Sequence, residues 1–407
     1  MSSRLKPSRA AALGGVTLAA ALVLAFVVLP QARAREYLGA SDESAAPEEP
    51  AAPLPPPIVH VPVPDVVRAA YMTSCYAASP ELRAKLVDMV DQTELNALVI
   101  DIKDWSGTVS FAIEDPSLAA DFAGGDGCTV GDMKEFLGVL GEKSIFRIAR
   151  LTVFQDPLYA KSHPGQAVQR ADGSVWADRK GIAFVDVSAK PYWEKIVALS
   201  NAAYELGFDE VNYDYVRYPT DGDIRSAVYP YSGARLASGA ADAKAAALRE
   251  FFAYLDGEIE DGAPYTSADF FGMTTNAEDD MGIGQVLEDG LTYFDYLAPM
   301  VYPSHYPATW NGYANPNANP GGVVRDAMRF AVDRANALSA ATTTPEAIRA
   351  KVSPSQLRAW IQDFDYGGDY DAADVRAQID ATAEVGAPSY MLWDPSNRYT
   401  PAALRTE

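Results

Sequence analysis

From Asp65 onward the chain alternates short apolar runs with stretches in which apolar residues recur every three or four positions. The runs are Val66 to Met72, Ala97 to Ile102, Ile145 to Phe154, Val211 to Tyr218, Ser267 to Thr274, Tyr296 to Tyr302, Leu357 to Phe364 and Tyr390 to Trp393. Each has the length and bounding turns of a strand. Between them Leu82, Leu86, Met89 and Val90 share one helical face, as do Met133, Phe136, Leu137 and Leu140, and then Trp193, Ile196, Val197 and Tyr204. Leu248, Phe251, Phe252, Leu255 and Ile259 stripe a fourth helix, and further helices are expected near 283–293, 323–340 and 374–386. Alternation of period 2 and period 3.6 argues an α/β fold, a parallel sheet with crossover helices. Eight such units predict a single (β/α)8 TIM barrel. The open dinucleotide-binding sheet is disfavoured because no Gly-rich phosphate fingerprint follows the first strand.

Ahead of Asp65 the pattern changes. Arg4, Lys6 and Arg9 precede an uncharged stretch from Ala10 to Leu29, and Ala32-Arg33-Ala34 follows it. A positive n-region, an apolar h-region and a small-x-small site describe a secretory signal peptide over residues 1–35. At about twenty residues the stretch could also span a bilayer. Membrane anchoring through residues 10–29 is therefore the alternative to cleavage, and the positive flank puts the body outside the cytoplasm in either case. Residues 36–64 are expected to be a disordered spacer, since Ala40 to Pro64 contains eight prolines, four acids and no Lys or Arg. The barrel is expected over 65–407, free of this spacer.

Charge narrows the function. Five of the 33 Lys+Arg residues lie in the first 35 positions, leaving 28 bases against 55 acids, a net charge of −27. Such a body repels phosphate backbones, so no nucleic-acid partner is expected. With two cysteines and three histidines, a Cys/His zinc site is excluded, and no metal or other cofactor is expected. Cys75 and Cys128 fall just beyond the first and second strands, where neighbouring loops meet, and a disulfide between them is expected in an exported protein.

In such a barrel the chemistry sits at the carboxyl ends of the strands. Those ends read VIDIKDW (Val99 to Trp105), RLTVFQD (Arg150 to Asp156), NYDYVRYP (Asn212 to Pro219), SADFFG (Ser267 to Gly272), APMVYPSHY (Ala298 to Tyr306), WIQDF (Trp360 to Phe364) and LWDPSN (Leu392 to Asn397). Ionisable groups inside apolar runs are costly unless paired or used, and four strands carry them at the same relative position. Asp214, Asp269 and Asp101 are the candidate catalytic carboxylates. The structural alternatives are an Asp101–Lys103 pair, an Asp214–Arg217 salt bridge and a hydrogen-bonded core carboxylate at Asp269. Lys103, Trp105, Arg150, Asn212, Arg217, Tyr302, His305, Trp360, Trp393 and Asp394 are the candidate substrate contacts. The rings Trp105, Phe154, Trp176, Tyr215, Tyr218, Tyr302, Trp310, Trp360 and Trp393 are expected at the same mouth, where aromatic faces can stack on sugar rings. His163 and the Asp279-Asp280 pair read as solvated loop residues. Carboxylates with aromatics in an exported acidic protein form a carbohydrate-active profile.

The run GFDEVNYDYVRYPTDG (Gly207 to Gly222), after ARLTVFQDP (Ala149 to Pro157) and WADRKG (Trp176 to Gly181), resembles a bacterial glycosyl hydrolase domain family. VIDIKDWSG, SADFFGM, the GIGQ at Gly282 to Gln285, PMVYPSHY and LWDPSNRY resemble that family's other blocks, in order, so the likeness covers about 70 to 401. It implies a (β/α)8 barrel distantly similar to amylase-type glycosidases, usually exported or membrane-anchored, and a reaction class rather than a substrate. Tyr213 and Tyr218 stand where family members commonly carry phenylalanine, and Asp269 stands at the place of the amylase-type strand-five glutamate. The combined reading is a glycoside hydrolase with Asp214 as nucleophile or base, held ionised by Arg217, Asp269 as acid and Asp101 in reserve. A non-catalytic glycan- or peptidoglycan-binding barrel and a metal-dependent barrel hydrolase are the alternatives.

Overall fold

Strand β1 spans Arg68–Met72, β2 Ala97–Lys103, β3 Phe146–Thr152 and β4 Glu210–Asp214; β5 spans Tyr265–Phe271, β6 Tyr296–Met300, β7 Arg358–Gln362 and β8 Ser389–Trp393. They pair in parallel in chain order, and β8 returns to β1, so the sheet closes. The computed structural model describes residues 58–259, 264–343 and 345–406. The expected signal or anchor segment and spacer residues 36–57 lie outside the described residues. Among the described residues no helix is long and apolar enough to cross a membrane.

Seven helices carry the main crossovers: α1 Pro80–Gln92, α2 Met133–Glu142, α3 Lys190–Leu206, α4 Ala243–Glu258, α5 Leu287–Tyr293, α6 Pro320–Ala340 and α7 Ala372–Glu384. Their ends are written in the sequence. Ser79 caps α1 by accepting from Leu82 N, with Pro80 in the first turn, and Asp371 with Asp374 forms a capping box on α7. Gly207 ends α3 at φ +124°, a conformation that a side chain would resist.

Period 2 separates two packed layers. Outward residues such as Leu98, Ile100, Leu151 and Val211 join the helices in the main core. Inward residues including Ala69, Tyr71, Val99, Ile148, Ala298, Trp360 and Met391 fill the barrel. The lower interior is not wholly apolar. Arg358 on β7 meets Glu210 on β4 at 2.5 Å, and its guanidinium lies 3.3 Å from the centre of the Tyr296 ring. Both members of the pair are almost fully buried, which is tolerable only because they neutralise each other.

Two local features depart from the expected pattern. Strand β2 has an irregular register between Asp101 and Lys103, the signature of a bulge. The side-chain alternation breaks there, and Lys103 leaves the barrel interior. It is fully buried among outer-layer groups, 2.8 Å from Asp156 and bonded to Thr152 O and Tyr192 Oη. Strand β4 stops at Asp214 rather than running to Tyr218. Tyr215 adopts φ +53°, and its N–H turns back to donate to Asp214 Oδ1 at 2.5 Å. Val216 and Tyr218 are apolar because the loop itself is buried; Tyr218 N donates to Ile283 O.

The expected free spacer ends earlier than Pro64. Residues 58–64 run beneath the amino ends of the strands and are held there. Val61 N donates to Asp209 at 2.8 Å, Arg147 Nη2 donates to Val59 O at 3.0 Å, and the His60 ring stacks on Tyr204 at 3.9 Å. Val61 and Val63 pack against the inner core. Proline content made this strap read as linker, while its alternating valines were the contrary signal. At the opposite end Cys75 and Cys128 form a disulfide with Cα atoms 4.9 Å apart, closing a separation of 53 residues. In the chain-entropy account such a closure is worth about 4 kcal/mol. Deleting residues 58–64 should destabilise the barrel by about 2–4 kcal/mol, a Tm loss of roughly 4–10 °C, through lost hydrogen bonds and apolar contact. Thermal melts of proteins starting at residues 58 and 65 check this, and equal Tm values would show that the strap contributes nothing.

Candidate active site

Four consecutive strands deliver charged groups to one level of the barrel. Asp101 ends the regular part of β2, Arg150 sits on β3, Asp214 closes β4 and Asp269 lies on β5. Arg150 Nη1 meets Asp101 Oδ1 at 2.6 Å, Nη2 is bonded to Asp214 Oδ2, and Nε lies 3.6 Å from Asp269 Oδ2. One guanidinium thus faces three buried carboxyls. Asp101 also accepts from the Tyr71 hydroxyl of β1. Asp269 Oδ1 accepts from Asn212 Nδ2 at 2.9 Å and from Trp360 Nε1 at 2.6 Å.

The charge count decides the protonation. One cation cannot offset three carboxylates in a desolvated layer, so protons must be retained. Burial, reinforced by the Asp214 carboxylate, pushes Asp269 up to about 8, and Arg150 offsets this only in part. Asp101 is raised too, because its desolvation outweighs Arg150. At neutral pH the group carries a proton that Asp269 can donate.

Above this layer opens a cavity of about 650 Å³, lined by Arg150, Asp214, Asp269, Tyr302, His305, Trp360 and Trp393 among others. Its walls are aromatic on several sides. Tyr71 stacks on Trp393 at 4.0 Å, Trp360 meets Trp393 edge-on at 5.5 Å, and the Arg150 guanidinium lies 5.1 Å from the Trp393 ring centre. Gly272 lets the end of β5 approach β6, since a Cβ there would come within 2.4 Å of Met300 O. A second cavity, of about 560 Å³, contains Trp105 and shares Tyr215 and Arg217 with the first.

Of the expected site residues, Asp214, Asp269, Arg150, Arg217, Tyr302, His305, Trp360 and Trp393 meet at the main cavity, and Trp105, 59% exposed, lines the second. Asp101 lies in the layer beneath. Six expectations need correction. Lys103 points outward to Asp156, so it neither contacts the cavity nor pairs with Asp101. The cation on Asp214 is Arg150, whereas Arg217 donates to Tyr218 O and Thr220 Oγ1. Asp394 turns onto its own loop, accepting from Ser396 N and Arg398 N. Asn212 is fully buried and positions Asp269 rather than facing the cavity. Among the rings, Phe154 packs on Phe251 in the outer core, Trp176 is enclosed with Phe184, Tyr218 is buried on Tyr229 and Trp310 lies tilted against Tyr306. His163 is no free loop residue either, stacking on Tyr159 at 4.1 Å. Among the described residues no group of three or more His, Cys, Asp or Glu could hold a metal ion.

The sequence reading missed Tyr71 and Gln285. Tyr71 was detectable as the inward partner of Ala69 at the end of β1. Gln285, within the GIGQ block, accepts from Phe271 N and donates to Asp269 O and Val216 O, tying the β5 end to the loop after β4. No single-sequence signal reports such a loop-to-strand bond.

A family model described as "Putative glycosyl hydrolase domain" matches residues 69–399. Among solved structures, the glycoside hydrolase domain of PgaB (BpsB) from Bordetella bronchiseptica is similar at 15% identity, covering 82% of this chain and 95% of that one with a TM-score of 0.55. A hypothetical protein from Ruminiclostridium thermocellum is 28% identical over 49% of this chain and 96% of its own, with a TM-score of 0.43. The catalytic domain of a Paenibacillus polymyxa β-amylase is 10% identical over 85% of this chain and 96% of its own, with a TM-score of 0.49. A search of curated proteins returns no match.

Arg150→Met should cost about 3–5 kcal/mol at neutral pH by stranding buried carboxylates. Asp101 and Asp269 have folded pKa values above the ordinary aspartate value of ~3.9, so the folded state holds extra protons and stability falls as pH rises from about 4 to 8. The variant should therefore regain part of its loss at pH 5, a recovery that urea titrations at pH 5 and 7.5 will reveal. An equal loss at both pH values contradicts the carboxylate-clamp account.

Proposed function

The chain belongs to this glycosyl hydrolase family, and on that premise we propose that it is an exported glycoside hydrolase acting on a poly- or oligosaccharide. Asp214 serves as nucleophile or base and Asp269 as general acid. The observation that carries the reading is the pairing of two unlike carboxyls in one cavity: Asp214 bound by the Arg150 guanidinium, and Asp269 pushed up to about 8. Glycosidic cleavage needs one ionised and one protonated carboxyl flanking the bond, and neighbouring strands with contrasting environments suit that division. The acid's proton goes to the departing glycosidic oxygen while Asp214 attacks the anomeric carbon or activates water. Trp360 and Asn212 hold Asp269, and the Trp393 and Tyr302 rings offer stacking faces to sugars. Export is supported by the leader-like residues 1–35 and by the Cys75–Cys128 disulfide, which persists in oxidising compartments.

One observation favours the alternative of a non-catalytic glycan-binding barrel: all three carboxyls engage Arg150, as in a purely structural ion network. Turnover separates the readings. Purified protein incubated with cell-wall and exopolysaccharide glycans should release reducing ends, and Asp214→Asn should lower kcat at least about 1000-fold while leaving the fold intact. Glycan binding without reducing ends, in wild type and variant alike, would identify the binder.

The raised Asp269 pKa gives a pH signature. Because the acid must be protonated, kcat/KM should fall about tenfold per pH unit above about 8. Asp269→Asn should lose that alkaline limb and retain most activity on activated aryl glycosides, which need no protonation. A limb that survives in Asp269→Asn assigns the acid elsewhere, with Asp101 the first residue to test.

A further inference from the structure

Four arginines among the described residues are deeply buried: Arg147, Arg150, Arg217 and Arg358. Three hold carboxylates, Arg147 on Asp209, Arg150 on Asp101 and Asp214, and Arg358 on Glu210. Arg217 does not. Among the described residues no carboxylate oxygen lies within 4.0 Å of it, although the chain carries 55 acids. Only its Nη1 is bonded, to Tyr218 O at 3.1 Å and Thr220 Oγ1 at 3.3 Å. The guanidinium lies 4.8 Å from the ring centres of both Tyr215 and Phe271, so aromatic neighbours fix it. It is 8% exposed, and its remaining surface borders both cavities. Burying a cation without a counter-charge is unfavourable unless a ligand completes the pair.

We propose that the second cavity is a subsite for a sugar residue bearing a carboxylate, which Arg217 pairs while Trp105 stacks on the ring. This rests on the glycan-hydrolase reading and specifies its substrate class. The two cavities share Tyr215 and Arg217, so a glycan crossing that wall places one sugar at the Asp214–Asp269 pair and its neighbour beside Trp105. Among the described residues Nε and Nη2 of Arg217 have no partner, and these two donors form the edge of a guanidinium that grips a carboxylate bidentately. A singly charged group is the match. Asp178 and Asp221 line the same cavity and repel the second charge of a phosphate monoester, while Lys180 at the rim adds a flexible cation. The carboxylate can be that of a uronic acid or an ether-linked lactyl group, which share this chemistry.

The test uses the full chain with oligosaccharides of polygalacturonate, hyaluronan and glucuronoxylan and with peptide-free, lactyl-bearing peptidoglycan strands. Each is compared with its carboxyl-reduced form, with binding read by calorimetry and hydrolysis by reducing ends. At least one acidic glycan should bind about tenfold or more tighter than its reduced form. Arg217→Gln should bring that ratio near one, Arg217→Lys should restore part of it, and Trp105→Ala should weaken both forms alike and keep the ratio. The uronic and lactyl arms identify which carboxylate is recognised. Equal binding of acidic and reduced forms by the wild-type protein overturns the subsite even if hydrolysis proceeds, and so does failure of every acidic probe to bind. Carboxylate-dependent binding without reducing ends upholds the subsite and removes the hydrolase reading.

Discussion

The upper barrel depends on the contact between the Arg150 guanidinium and the carboxyls of Asp101, Asp214 and Asp269. Closing a parallel sheet forces the inward side chains of β2 to β5 into one confined layer, and the chain has placed one cation and three acids there. Without Arg150 the layer could not desolvate. With it, the layer is still short of positive charge, and the deficit is met by retaining protons. Asp269, the carboxyl farthest from the guanidinium and in contact with Trp360 and Asn212, is the group driven up to about 8. A structural requirement for neutrality thereby produces a carboxylic acid at neutral pH beside an ion-paired carboxylate. Stability and acid chemistry here are two readings of one electrostatic balance.

The barrel handles its other buried charges differently. Lower in the interior, Glu210 and Arg358 match one to one, and outside the sheet Lys103 and Asp156 do the same. Neither pair lines either of the two cavities described, and neither has charge left over. Imbalance is confined to the level of the mouth, where Arg150 has too many carboxylates and Arg217 has none within ion-pair distance among the described residues.

Much of this was legible in the sequence. Helical stripes and apolar runs located all eight strands to within a few residues, and period 2 alone put Asn212 with Asp214 and Ser267 with Asp269 on inward faces. What was not legible was pairing across strands. Arg217 stands three residues from Asp214 and looked like its partner, yet a left-handed Tyr215 ends the strand between them and turns Arg217 into the loop. Arg150 is remote in sequence and adjacent in space, which only the register of β3 against β2 and β4 reveals. The aromatic residues after the strands divided between cavity and loop interior for a similar reason. Long loops build small cores of their own, such as that of Val168, Trp176 and Phe184, and composition does not distinguish a ring buried there from one facing a ligand.

The bulge in β2 carries a consequence for how such a site can change. Side-chain direction in a strand is a binary variable, and one extra residue inverts it for everything downstream. Here the inversion falls between Asp101 and Lys103, so an acid is kept inside and a base is sent outside. A strand running regularly through these residues, without the bulge, would turn the ammonium to the face of Asp101, supply a second cation to the carboxyl layer and strip Asp156 of its counter-ion. The charge state of the mouth is therefore controlled by strand register as well as by residue identity. A change that straightened the strand at that position would alter the charge of the mouth without any substitution among the carboxylates.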